Sequence, residues 1–71
     1  MSQWGSRKSR QVLAALLGIG WTVKRQLGTS HRVLSREGCP DVVFAFHDGE
    51  EIGPKMLSRI AKRTGLEPED L

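Results

Sequence analysis

The chain has 71 residues, of which 38% are hydrophobic and 27% charged, and its formal net charge is +3. Such a chain forms one small domain, residues 1–71, and buries about 60% of its unfolded surface, which excludes a second domain and a deep substrate channel. This composition is typical of globular proteins rather than disordered ones. The apolar run Val12 to Ile19 is too short to span a bilayer, and we expect a cytoplasmic protein.

Basic and acidic residues are segregated along the chain. Residues 1–36 contain basic but no acidic residues, residues 37–54 contain the reverse, and residues 55–63 are again basic. Such blocks predict a domain with one basic and one acidic side. A basic side favours nucleic acid as the partner, and a merely solvated charged surface is the alternative interpretation.

An amphipathic helix is the first predicted element, after residues 1–5, which carry no pattern and are predicted to be disordered. Either Ser6 or Ser9 could cap its start, since a hydroxyl accepts a bond from an unpaired backbone N–H. Gly18 is expected to end the helix. The apolar stripe at helical spacing consists of Val12, Leu13, Leu16 and Leu17.

Three strands are predicted next, joined by links too short for a parallel crossover, so each pair is antiparallel. The first, residues 21–26, alternates and should place Trp21 and Val23 inward. The second covers residues 31–36. The third, residues 42–46, is the most apolar and is expected to be the best buried.

A second amphipathic helix is predicted from Pro54, which suits a first helical turn, to Gly65, with residues 66–71 as a tail. One face is apolar and the other is basic. The fold class is therefore α+β, in the order α-β-β-β-α, with a three-stranded antiparallel sheet and both helices on one face. The basic face consists of Lys55, Arg59, Lys62 and Arg63.

His31 is the most informative polar residue, because it lies where a turn meets a strand, with Lys24, Arg25 and Arg32 nearby in sequence. A histidine among cations can act as general acid or base on an RNA 2′-hydroxyl, and the cations can stabilise charge on the phosphate. An ordinary strand histidine with local hydrogen bonds is the alternative. Ser30 and His31 are not expected to act as a nucleophile–base pair, since adjacent strand residues point to opposite faces.

Other polar groups carry weaker signals, and no cofactor is expected. The spacing of His47, Asp48, Glu50 and Glu51 matches no metal motif, so no metal is predicted there. The single cysteine, Cys39, forms no internal disulfide and holds no structural zinc by itself.

The chain resembles the HicA-type (YcfA-like) toxins of bacterial HicA–HicB toxin–antitoxin pairs over roughly residues 9–66. The resemblance implies a fold similar to a double-stranded RNA-binding domain. It also implies metal-independent cleavage of RNA (mRNA) that arrests translation, and neutralisation by a HicB-like antitoxin protein. The residues on which the resemblance rests are Gly20-Trp21, Lys24-Arg25-Gln26, the turn from Gly28 to His31, the segment Phe46 to Ile52, and the helix Met56 to Leu66.

The family's catalytic histidine lies in a Gly-Ser-His motif, which corresponds here to Gly28, Ser30 and His31. Thr29 lengthens that turn by one residue. If a bulge absorbs the extra residue, His31 keeps its direction; otherwise it moves to the opposite sheet face.

The resemblance assigns proton transfer to His31, and we expect Gly28 and Ser30 to shape its turn. Cations of the first two strands (Lys24, Arg25, Arg32) and of the second helix are expected to contact RNA phosphates. A non-catalytic RNA-binding module of the same fold is the alternative, since charge and fold suit both. A protein-interaction module would leave the basic blocks unexplained.

Overall fold

The computed structural model describes residues 4–47 and 49–71. Its longer elements follow the order α-β-β-β-α, so the predicted α+β class and element order are confirmed. A 3₁₀ turn, Pro68–Asp70, follows the second helix. The helices are α1 (Ser9–Gly18) and α2 (Pro54–Thr64), and the strands are β1 (Arg7–Lys8), β2 (Thr22–Leu27), β3 (His31–Ser35), β4 (Val42–Ala45) and β5 (Glu51–Ile52).

The main sheet is antiparallel, in the order β2-β3-β4, as predicted. The central strand is β3, whose Val33 and Leu34 are both buried. The third predicted strand, β4, lies at an edge and alternates between buried and exposed residues. It is therefore not the best-buried strand, because only a central strand is covered by neighbours along both of its edges.

A second, two-stranded sheet was not predicted. In it β1 pairs antiparallel with β5, and the Ser9 N–H donates to the Glu50 carbonyl at 2.9 Å. The pairing joins the start of α1 to the segment before α2. Because each strand has only two residues, neither carries an alternating pattern that a sequence could reveal.

Both helices end as predicted, but the cap predicted for α1 was wrong. Lys8 occupies the N-cap position, and its backbone N–H donates to the Gln11 side chain at 3.1 Å. Ser9 is instead the first helical residue and is buried. In α2, Pro54 is the first residue and Gly65, with φ of +78°, supplies the left-handed conformation that closes the helix.

The core lies between the helices and one face of the sheet. Leu34 and Val42 are aligned partners on β3 and β4, so the face they share is the one both helices cover. Trp21 is buried, as predicted, and its indole N–H donates to the Thr64 carbonyl at 3.0 Å. The fully buried side chains of the core include Val12, Leu16, Leu34 and Leu57.

The strand β2 lies at the other edge of the sheet, and all of its residues are exposed. Val23 is aligned with the core residue Leu34, so it lies on the predicted face, but at this edge of the sheet it is 43% exposed rather than buried. A β-bulge between Val23 and Arg25 interrupts the alternation that the prediction assumed.

Both ends of the described chain reach the core. Trp4 packs against it, although residues 1–5 were predicted to be disordered; residues 1–3 lie outside the described residues. In the segment predicted as a tail, Leu66 is buried and Leu71 packs on the core. Among the described residues, no helix has the length and apolar character needed to cross a membrane.

Candidate nucleic-acid interface and active site

His31 begins β3, where it is aligned with Leu27 on β2 and Ala45 on β4. Its neighbour Arg32 is aligned with Phe44, and Leu34 with Val42; because Leu34, Val42 and Phe44 belong to the core, this is the face that the helices cover. Since alternate residues of a strand point to opposite sides, His31 lies on the face away from the helices. Its side chain is exposed.

The turn before His31 has three residues, Gly28, Thr29 and Ser30, between the aligned Leu27 and His31. Gly28 has φ of +64°, a left-handed conformation that suits glycine, and its carbonyl accepts from the Gln26 side chain at 3.0 Å. Thr29 is thus accommodated within the turn. The single register shift between β2 and β3 lies farther back, between Val23 and Arg25, and the ladder between His31 and β4 is unbroken.

A cavity of about 510 Å³ lies between β4 and the start of α2. One wall comes from the sheet, with Val43, Phe44 and Ala45, and the other comes from β5 and α2, with Met56 and Ile60. His31 also lines it, together with Ala45, its aligned partner on β4. The other polar residues that line the cavity are Ser9, His47, Glu50 and Glu51.

A second cavity, of about 250 Å³, continues the first along α2, because both are lined by Val43, Met56 and Ile60. We call the two together the β4–α2 groove. Arg59 and Arg63 line its far end. The groove therefore has two histidines at one end, two arginines at the other, and an apolar wall between them.

The basic face predicted on α2 is divided by this groove. All four cations, Lys55, Arg59, Lys62 and Arg63, are exposed. Only the two arginines line the groove, whereas the two lysines do not. The helix therefore presents two arginines to the groove and two lysines outside it. Contact of all four cations with RNA stays a prediction.

The cations of β2 lie at different distances from His31. Arg25 is aligned with Val33, which places it on the same sheet face as His31. Lys24 reaches the other way and forms an ion pair of 2.8 Å with Asp41, which precedes β4 near the Ser35 end of β3. Since β3 rises about 3.3 Å per residue, that end is roughly 13 Å from His31. The pair is half-exposed, so it contributes little stability, and an RNA phosphate could compete for Lys24.

Arg32 occupies the opposite sheet face from His31. Its guanidinium lies over the Phe46 ring, 4.2 Å from the centroid, a cation–π contact. Its Nη1 atom is buried without a hydrogen bond to any described residue. This placement separates Arg32 from the proposed proton-transfer residue, so its predicted contact with RNA stays a prediction that the geometry does not favour.

The remaining candidates do not add a site. Cys39 is exposed in a turn. Across residues 4–47 and 49–71, no three His, Cys, Asp or Glu side chains are grouped closely enough to hold a metal ion. Asp48, one member of the acidic segment considered in the sequence, lies outside the described residues.

A family model described as the HicA toxin of bacterial toxin–antitoxin systems matches residues 9–66. The chain belongs to the HicA toxin family. No curated protein and no solved structure matches it.

Membership of the HicA family makes this protein the toxin of a toxin–antitoxin system and implies an antitoxin as its partner. The matched segment begins with α1 and ends with Leu66, so it includes both helices, the main sheet, His31 and both ends of the groove. The resemblance noted from the sequence is thereby confirmed.

Sequence reasoning did not join His47, Glu50 and Glu51 to His31. They share one cavity, although the sequence predicted no metal at these residues and gave them no other role. The sequence did not reveal how the two strands are aligned. His31 is aligned with Ala45, and His47 follows Ala45 by two residues. The alternation of residues 43–47 was visible, but the alignment of that strand with His31 was not.

Proposed function

We propose that this HicA-family toxin is a metal-independent ribonuclease that cleaves mRNA, with His31 as a residue that moves the proton. The observation that supports this most directly is the position of His31 in the β4–α2 groove, where it is exposed and where two arginines line the other end. An imidazole that changes its protonation near neutral pH needs no metal to activate a ribose hydroxyl.

The groove suggests how a strand of RNA would lie. Arg59 and Arg63 would hold phosphates along α2, while Val43 and Met56, which are 55% and 51% exposed, offer apolar surface to bases. Arg25, on the face of His31, would neutralise the phosphate at the reacting end, joined by Lys24 if it leaves Asp41. Gly28 and Ser30 would set the direction of His31 through the turn.

Cleavage by the purified chain tests the proposal. In buffer containing EDTA, we expect the purified chain to cut single-stranded RNA into defined fragments and to leave DNA of the same sequence intact, because DNA lacks the 2′-hydroxyl. RNA binding without any cleavage by the folded protein would contradict the proposal and would indicate the non-catalytic RNA-binding module instead.

The two arginines of the groove should govern RNA affinity more than the two lysines outside it. Log affinity decreases as log salt concentration increases, and each phosphate contact on a single strand contributes about 0.7 to the steepness of that decrease. For the double variant Arg59→Ala with Arg63→Ala, we therefore expect the slope to be shallower by roughly 1.4. Binding titrations at several salt concentrations measure that slope.

Lys55→Ala with Lys62→Ala is the matched control for the arginines, because it removes the same charge from exposed positions of the same helix. We expect this variant to retain most of the parent's slope. Equal reductions in both double variants would mean that α2 acts only through its overall charge, and that RNA does not follow the groove.

The antitoxin that silences this toxin would be a HicB-like protein, and the site of action would be the cytoplasm, where mRNA is translated. An antitoxin that covers His31 would also find the exposed apolar side chains of the groove, Val43 and Met56. Carboxylates on the partner would complement Arg25, Arg59 and Arg63 and would exclude RNA phosphates.

A further inference from the structure

We propose that His47 is a second catalytic residue, which transfers a proton in the same RNA cleavage as His31. The proposal rests on the ribonuclease function proposed above. It assigns chemistry to a histidine outside the Gly-Ser-His motif, two residues beyond the end of β4, the strand next to His31.

The strand register places the two histidines on the same sheet face. Ala45 is aligned with His31, and the next backbone bond, from the Phe46 N–H to the Ser30 carbonyl, continues the ladder. His47 comes two residues after Ala45, just beyond the end of β4, and continuation of the strand's alternation would direct it to the side of Ala45 and His31. Diagonal neighbours of this kind lie roughly 7–8 Å apart, and both imidazoles line the same cavity.

The contacts made by the neighbours of His47 in sequence support its placement on the sheet face of His31. Phe46 lies under the Arg32 guanidinium on the opposite sheet face, so the residues that flank it in sequence are directed toward the face of His31. The His47 carbonyl accepts from the Glu50 N–H at 3.0 Å, and Gly49, with φ of +84°, supports this turn. Ala45, between the two histidines, has the smallest side chain that a non-glycine residue offers and leaves room for a phosphate.

Cleavage of RNA without a metal requires two proton transfers. One group removes the proton from the 2′-hydroxyl, whose oxygen then bonds to phosphorus. The bond between phosphorus and the 5′-oxygen breaks, and a second group donates a proton to that oxygen, leaving a 2′,3′-cyclic phosphate. Because the entering and leaving oxygens lie roughly in line through phosphorus, two separate groups on opposite sides of the phosphate suit the reaction, and two histidines that line one cavity are candidates for these groups.

The other titratable groups at this cavity are Glu50 and Glu51, among the residues that the structure describes. A carboxylate could carry the same proton, so each glutamate must be tested beside His47. Arg25 is the cation on this sheet face near His31, while Arg32 faces the helices and does not enter the pair.

The decisive comparison uses His47→Gln, His31→Gln and, as the matched control from the same loop, Glu50→Gln. For the parent we expect a bell-shaped dependence of kcat on pH, as acid–base pairs give. His47→Gln should lower kcat by about 10²–10⁴-fold, leave RNA affinity unchanged and remove one limb of the bell. Glu50→Gln, and likewise Glu51→Gln, should keep both limbs.

A modified RNA identifies the proton donor of the pair. Replacing the scissile 5′-oxygen with sulfur creates a leaving group that departs without a proton. We expect this substrate to restore the rate of one histidine variant and not of the other. A His47→Gln variant that cleaves like the parent, or that loses activity but keeps both limbs of the bell, would overturn the proposal and leave that of a ribonuclease intact.

A measurement without cleavage uses the parent chain. When inorganic phosphate is added, we expect the NMR signals of both imidazole rings to shift with the same dissociation constant. A shift of the His31 ring alone would overturn the paired site. Failure of the parent to cleave RNA would instead refute the ribonuclease function, and the role of His47 with it.

Discussion

Replacing His31 with alanine should end the growth arrest expected of the toxin and slow the proposed RNA cleavage by about 10²–10⁴-fold, the usual contribution of a general acid or base. The physical reason is that His31 is the residue of β3 that lines the groove, with an exposed imidazole that can accept or donate a proton. Growth curves after induced expression and gels of RNA incubated with the purified variant measure the two effects.

The control for His31→Ala is a measurement of whether the variant remains folded. Because the side chain is exposed and lies on the sheet face away from the core, its removal should change the free energy of unfolding by no more than about 0.5 kcal/mol. Circular dichroism and urea unfolding verify this. A folded variant as toxic as the parent would exclude His31 from catalysis.

Leu57→Ala should be the most damaging change in the core. Leu57 of α2 has no exposed surface and packs against residues of both helices and the sheet. A cavity of this kind costs about 2–5 kcal/mol, and a domain of this size has only about 4–11 kcal/mol of stability in total. Urea unfolding should show a large loss of stability.

Leu17→Ala is the matched control for Leu57→Ala, since it removes the same atoms from a helix position that is 45% exposed. There we expect a loss below about 1 kcal/mol, because much of that side chain is already in water. Equal losses at the two positions would show that α2 does not depend on Leu57 for its packing.

The sequence predicted those features that depend on local pattern. The stripe containing Val12 and Leu16, and the Pro54 and Gly65 signals, placed both helices, because helical period and capping are properties of neighbouring residues. Short links fixed the antiparallel order of the strands. The family motif then directed attention to His31.

Features that depend on which distant residues meet were not predicted. The burial of β3 follows from its central place in the sheet, and the exposure of Val23 follows from an edge position and a bulge. The pairing of β1 with β5 joins segments far apart in the chain. The shared cavity of His31 and His47 depends on strand register, and register is set by the packed structure rather than by either segment alone.

The bulge in β2 and its two cations also have a consequence for solubility. An edge strand leaves backbone groups ready to pair with another chain, and charged residues and bulges are the means by which proteins prevent such aggregation. Lys24 and Arg25 lie at that bulge, beside the exposed Val23 and Leu27. Apolar substitutions of Lys24 or Arg25 would create a flat, hydrophobic edge that is prone to aggregation. Glutamine is therefore the better neutral replacement when the role of either cation in RNA binding is measured.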